Sequence, residues 1–118
     1  RLCRKVCNNC KVEEPASEAK LIACGVTKKS AKNLKVFKGQ GCDNCNKTGY
    51  KGRIAIYEVL NVSPKIKELI LKNKSADEIK KEAIREGMVT LRMSALYKAI
   101  EGLTTLDEVV SNSGPDKF

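Results

Sequence analysis

Two C-x-x-C pairs, Cys7-Asn8-Asn9-Cys10 and Cys42-Asp43-Asn44-Cys45, stand 31 residues apart in a chain of 118. Each loop sets two sulfurs close enough to share one ion, and two such loops complete a tetrahedron with metal–sulfur distances of about 2.3 Å. The expected site is Cys7, Cys10, Cys42 and Cys45 around one zinc ion. Four thiolates leave no position open for water, so the expected role is structural, not catalytic. Such sites bind with free energies of order 10 kcal/mol, more than the total stability of many small domains. The competing chemistries are iron in a rubredoxin-like site, a redox-active C-x-x-C pair, or disulfides. Glycine turns beside the second pair, Gly39-Gln40-Gly41 before it and Thr48-Gly49-Tyr50-Lys51-Gly52 after it, favour a metal knuckle over a thioredoxin-type helix N-terminus.

A chain of this make-up needs the staple. Aromatic content is 4% and Trp is absent, so few large side chains are available to fill an interior. With 42% apolar and 31% charged residues it still reads as globular, not disordered. No apolar run approaches the roughly 20 residues of a membrane span, and no signal-peptide core is present. The chain opens on Arg1 without an initiator Met, and we expect it to be cut from a larger protein. Cys3 and Cys24 sit singly among apolar neighbours and read as small buried hydrophobes.

The fold class expected is α+β: a small zinc-knuckle module with a short β element, then a bundle of three to four short helices. The division falls into a tetracysteine module at 1–60 and a helical subdomain at 61–118. In the first part Ser17 caps a short helix that Gly25 ends, 28–33 is a polar loop, and Leu34 to Phe37 is briefly extended. Arg53 to Leu60 is rich in β-branched and aromatic residues and predicts a strand covered on both faces, with Tyr57 in the core. Helices are predicted from Ser63-Pro64, with Ile66, Leu69 and Ile70 inward; from Ser75-Ala76-Asp77-Glu78, with Ile79, Ala83 and Ile84 inward and Gly87 terminating; from Thr90, with Leu91, Ala95, Leu96, Ala99 and Ile100 inward and Gly102 terminating; and from the capping box Thr105-Leu106-Asp107-Glu108, with Val109 and Val110 buried. The stretch from Ser111 onward predicts a frayed end.

Net charge is uneven: 13 Lys/Arg against 5 Asp/Glu in 1–60, and 10 against 9 in 61–118. The basic part suits an acidic protein surface, anionic lipid or phosphate, and Lys28, Lys29, Lys32, Lys35 and Lys38 are its candidate contributors. The plain alternative is lysines that only solvate the fold. No histidine is present, which excludes imidazole acid–base chemistry and His metal ligands. The segment Gly25-Val26-Thr27-Lys28-Lys29-Ser30 lacks the second glycine of a phosphate loop, so no nucleotide-hydrolysing site and no catalytic residue is assigned. A stand-alone basic zinc ribbon binding nucleic acid is the alternative function, and only Phe37, Tyr50 and Tyr57 offer rings to stack on bases.

Taken together these residues resemble the C-terminal portion of the hexameric ATPases of type II secretion and type IV pilus assembly (extension). The resemblance rests on Arg1 to Cys7, the Cys7-x-x-Cys10 and Gly41-Cys42-Asp43-Asn44-Cys45 insertion, Thr48-Gly49-Tyr50-Lys51-Gly52-Arg53 with Ile56-Tyr57-Glu58-Val59-Leu60, Gly87 to Arg92, and Glu101 to Val109. The second knuckle alone also looks like the zinc repeats of Hsp40 co-chaperones, which carry several such repeats and no comparable helical part. The family resemblance implies a bacterial parent protein that binds ATP and Mg²⁺, works as a homohexamer in the cytoplasm, and is peripheral to the inner membrane through a platform protein. It implies that the Walker motifs lie upstream of Arg1, which leaves this stretch a non-catalytic appendage docking to the platform or to neighbouring subunits. Related retraction ATPases lack the four cysteines. The stretch Leu91 to Leu96 leans toward pilus assembly, and Met93 departs from the acidic residue the family often has there.

Overall fold

The fold is described by a computed structural model over residues 1–15, 18–24 and 34–116. Its elements are β1 (Leu2–Val6), β2 (Lys11–Glu14), α1 (Glu18–Ala23), β3 (Val36–Gly39), a 3₁₀ turn (Asp43–Cys45), β4 (Tyr50–Ala55), α2 (Pro64–Leu71), α3 (Ala76–Arg85), α4 (Leu91–Ile100) and α5 (Leu106–Asn112). This is the small α+β arrangement expected. β1 pairs antiparallel with β4, and β2 antiparallel with β3, in two separate two-stranded sheets.

That pairing dictates where the cysteines go. The first C-x-x-C loop connects β1 to β2, and the second lies between β3 and β4. Because β1 is hydrogen-bonded to β4 and β2 to β3, both loops must emerge at the same end of the ladders, facing each other.

The helices start where local chemistry puts them. Ser63, Ser75, Thr90 and Thr105 each accept a hydrogen bond from the backbone N–H three residues on, at Ile66, Glu78, Met93 and Glu108. Each such cap stabilises its helix by about 1 kcal/mol. One core draws on both parts of the chain: Cys3, Leu21, Cys24, Val36 and Ile56 pack with Ala95, Leu96, Ala99, Leu106 and Val109. Cys3 and Cys24 are thus core residues, as expected. Helices α4 and α5 lie against the strands, whereas α2 and α3 pack mainly on each other. The molecule is accordingly elongated, 55 × 30 × 17 Å, with a radius of gyration of 16.6 Å against about 13.5 Å for a compact chain of this length.

Several expectations need correction. The strand predicted over 53–60 is instead β4 at 50–55, because the ladder can run only as far as its partner: Leu2 pairs with Ala55, and Arg1 and Ile56 exchange the last backbone bonds. Beyond Ile56 the apolar run lies on the surface, with Tyr57 69% and Val59 75% exposed, so Tyr57 is not a core residue. Richness in β-branched and aromatic residues signals fitness for a pleated surface, not the presence of a partner strand. Ile70 and Val110 also face solvent. The stretch 111–116 is not frayed. Ser113 is buried and its carbonyl accepts from Arg92 Nη2, while Asp116 accepts from Thr90 Oγ1 and pairs with Lys80. The extended segment predicted at 34–37 falls at 36–39 as β3. Ser17, Gly25 and the loop carrying Lys28, Lys29 and Lys32 lie outside the described residues.

Candidate metal centre

The second loop is built to bend around an ion. Gly41 has a φ of +96° and Gly49 one of +82°, and the backbones of Gly39 and Gly49 pass so closely that a Cβ on Gly39 would sit 2.1 Å from the Gly49 oxygen. No side chain fits between them. That approach lets the Gly49 carbonyl accept from Cys7 N (2.9 Å) while the Gly49 N–H donates to Cys45 Sγ (3.2 Å), joining the two loops through one residue.

The four cysteines predicted as ligands come together, with all four sulfurs within 4.8 Å of one another. Individual separations are 3.8 Å for Cys7–Cys42, 3.9 Å for Cys10–Cys45 and 3.6 Å for Cys42–Cys45. A tetrahedron with metal–sulfur bonds of about 2.3 Å has edges of about 3.8 Å. A disulfide would require sulfurs about 2.05 Å apart, and all six cysteines are free thiols. Cys7 and Cys45 are buried, and Cys10 and Cys42 are half-buried at the rim.

Around the sulfurs stands a set of N–H donors that sequence spacing did not reveal. Cys45 Sγ accepts from the backbone N–H of Cys42 (3.3 Å) and of Gly49 (3.2 Å), and Cys10 Sγ from that of Gly41 (3.3 Å). Cys42 Sγ accepts from the side-chain amide of Asn9 (3.2 Å). The available signals were the glycines beside the second pair and an amide residue inside the first. Burial pushes the Cys45 thiol up, but the Cys42 and Gly49 N–H groups outweigh it and bring the value down to about 6. The Asn9 amide lowers that of Cys42 against the effect of burial. Burial and the neighbouring sulfurs raise Cys10 to about 11. Four negative sulfurs cannot sit this close uncompensated. A divalent, thiophilic cation removes that conflict, and the all-sulfur donor set fits such an ion with no ligand position left over.

The same region is strapped to the helical end. Thr104 Oγ1 donates to the Arg4 carbonyl, Val6 N donates to the Leu103 carbonyl, Tyr50 and Thr105 share a hydroxyl bond of 2.8 Å, and Lys11 Nζ donates to the Gly102 carbonyl. Glu108, expected to close a capping box, does otherwise: its Oε1 accepts from Arg4 N (2.6 Å) and Arg4 Nε (3.2 Å).

A four-sulfur knuckle clasped to a short helical end defines a module with a candidate metal site. A family model described as "Type II/IV secretion system protein" matches residues 1–111, and the chain belongs to that family. It is 46% identical over 113 residues, 96% of its length, to the type IV pilus assembly ATPase PilB of Thermus thermophilus, and 46% identical across its whole length to PilB of Myxococcus xanthus. To the type II secretion system protein E of Aeromonas hydrophila it is 31% identical over 93% of its length. The matched stretch is only 13% of the first relative and 21% of the other two.

Proposed function

We propose that this chain is the zinc-stapled, non-catalytic C-terminal part of a cytoplasmic ATPase that drives pilus assembly or secretion, and that it docks to neighbouring subunits of a hexamer and to an inner-membrane platform protein. The observation that carries the reading is the near-complete match to relatives named as ATPases. The higher identity to pilus assembly ATPases than to type II secretion proteins favours pilus assembly. The tetrahedral sulfur spacing and the closed donor set support structural zinc on Cys7, Cys10, Cys42 and Cys45. ATP and Mg²⁺ belong to the parent protein, whose hydrolysis the rest of the chain would carry out. No helix among the described residues is long and apolar enough to cross a membrane, so contact with the membrane would run through a partner.

Metal analysis of reduced, folded protein purified without added metal is expected to give about one zinc per chain, and the same preparation to show no ATP turnover. Iron in place of zinc, or turnover that responds to point mutation, would overturn the corresponding part. The ring of Tyr50 is already covered by Arg4 at 4.0 Å and that of Phe37 by Lys11 at 5.2 Å, which disfavours base stacking at those two rings, while Tyr57 stays exposed.

Two surfaces suit docking. One is the exposed apolar strip of Tyr57, Val59, Val62 and Leu71. The other is basic and includes the exposed Lys35 and Lys38, the first of them paired with Glu13 at 3.6 Å. Exposed charges steer encounter more than they set affinity and are screened beyond about 8 Å at physiological salt. Reversing Lys35 and Lys38 to Glu is therefore expected to slow association with the platform's cytoplasmic domain, most at low salt, with zinc content unchanged. Association at the wild-type rate at every ionic strength would make the lysines bystanders.

A further inference from the structure

The four sulfurs are not equally protected. Cys7 and Cys45 are buried, with Cys7 only 1% exposed, and both Cys45 and Cys10 are held by backbone N–H groups. A backbone donor cannot leave its sulfur unless the loop itself deforms. Cys42 is half-buried; its sulfur accepts from the Cys45 backbone N–H within its own loop and, from the opposite loop, from the Asn9 side-chain amide at 3.2 Å. That amide can swing away by rotation about its own bonds. It is also the one side-chain N–H that reaches from the first C-x-x-C loop to a sulfur of the second, so it ties the two loops together on the solvent side.

We infer that Asn9 is a positioning residue for the metal centre: from the first loop it latches the Cys42 sulfur of the second and slows loss of the ion to competing chelators and electrophiles. The inference rests on the zinc reading of the four cysteines. The amide end that meets the sulfur is dictated by charge, because an amide oxygen would be repelled by a metal-bound thiolate whereas the NH₂ group donates to it. Hydrogen bonding to a ligand sulfur spreads its negative charge and lowers its tendency to leave the metal for another electrophile. Residues that orient a metal ligand from behind are generally worth about 10- to 100-fold in affinity. A single exposed amide belongs at the lower end of that range. Asn8, the neighbouring loop residue, makes no hydrogen bond to any of the four sulfurs and provides the matched control.

The test uses the intact chain loaded with one zinc. Its transfer to excess chromophoric chelator is timed, and the rate of modification of each cysteine by N-ethylmaleimide is followed by mass spectrometry. Asn9→Ala is expected to release zinc about tenfold faster than wild type, with Asn8→Ala unchanged. Alkylation of Cys42 is expected to be faster in Asn9→Ala than in wild type or Asn8→Ala. If Asn9→Ala disturbs the fold by circular dichroism, Asn9→Asp keeps the side chain's shape while removing the donor, and the same acceleration is expected. Release from the Asn9 variants at the Asn8→Ala rate, or Cys42 alkylation in Asn9→Ala no faster than in Asn8→Ala, would overturn the inference. Wild-type protein that holds no zinc would overturn the zinc reading itself, and that result is visible before any variant is compared.

Discussion

Replacing Cys45 with Ser is expected to remove the metal and to unfold residues 1–15 and 36–55 together. Cys45 is the buried sulfur on which two backbone donors converge, and its neighbour Gly49 also accepts from Cys7 N. Loss of that ligand leaves the remaining three thiolates without a closed shell, and metal binding in such modules is coupled to folding. The readouts are zinc stoichiometry, falling from about one to near zero, and amide exchange, with the Cys7 and Gly49 amides losing protection while α2 and α3, which rest on each other, keep theirs. Cys24→Ser provides the contrast. It buries a hydroxyl in the shared core at a cost of roughly 1–3 kcal/mol and keeps its zinc. Acid should mimic the Cys45 change. The folded Cys45 value of about 6 lies below the ordinary thiol value of 9.0, so the thiolate's contribution is fully present above the ordinary value and is lost as pH falls through about 6. Bound metal pushes that loss to still lower pH. Zinc held at full stoichiometry by Cys45→Ser would show that the site is not built on these four sulfurs.

What the sequence disclosed, it disclosed where the determining contacts are local. The gathering of four sulfurs was legible because a C-x-x-C loop carries its own geometry. The starts of α2 to α5 were legible because Ser63, Ser75, Thr90 and Thr105 bond to an amide only three residues away. The strands were not. β1 exists because Tyr50–Ala55 lies beside it, and no pattern within Leu-Cys-Arg-Lys-Val announces a partner about fifty residues on. The error over 53–60 has the same origin, since the apolar run continues past the point where the partner strand stops. Glu108 shows how a local rule can be outbid. Thr105 does cap the helix, but the Glu108 carboxylate forgoes the reciprocal bond for a backbone N–H more than a hundred residues away in sequence. The folded tail likewise depends on Arg92, Thr90 and Lys80, which its own composition does not mention.

Glu108→Ala is expected to undo the strap between α5 and β1 while leaving zinc bound. The Glu108 side chain is 6% exposed, whereas that of Arg4 is 56% exposed. That asymmetry separates two contributions which a bare ion-pair description would merge. The guanidinium half of the pair can return to water, so its net worth is that of a surface pair, at most about 1 kcal/mol. The backbone half cannot return so easily. Arg4 N donates to Oε1 at 2.6 Å, and truncation leaves that N–H facing a gap in a part-buried strand edge, a penalty of about 1–3 kcal/mol. Together these predict a loss of about 1–4 kcal/mol, or a melting temperature lower by roughly 5–20 °C for a domain of this size. Arg4→Ala removes the guanidinium and its contact with Tyr50 but keeps the backbone bond, so it should cost clearly less. Glu108→Gln keeps an acceptor oxygen for Arg4 N and should fall between the two. Thermal unfolding of the three variants gives the order, and zinc analysis confirms that the knuckle is intact in each. If Arg4→Ala proves as damaging as Glu108→Ala, the ion pair and not the backbone bond holds α5 to the sheet.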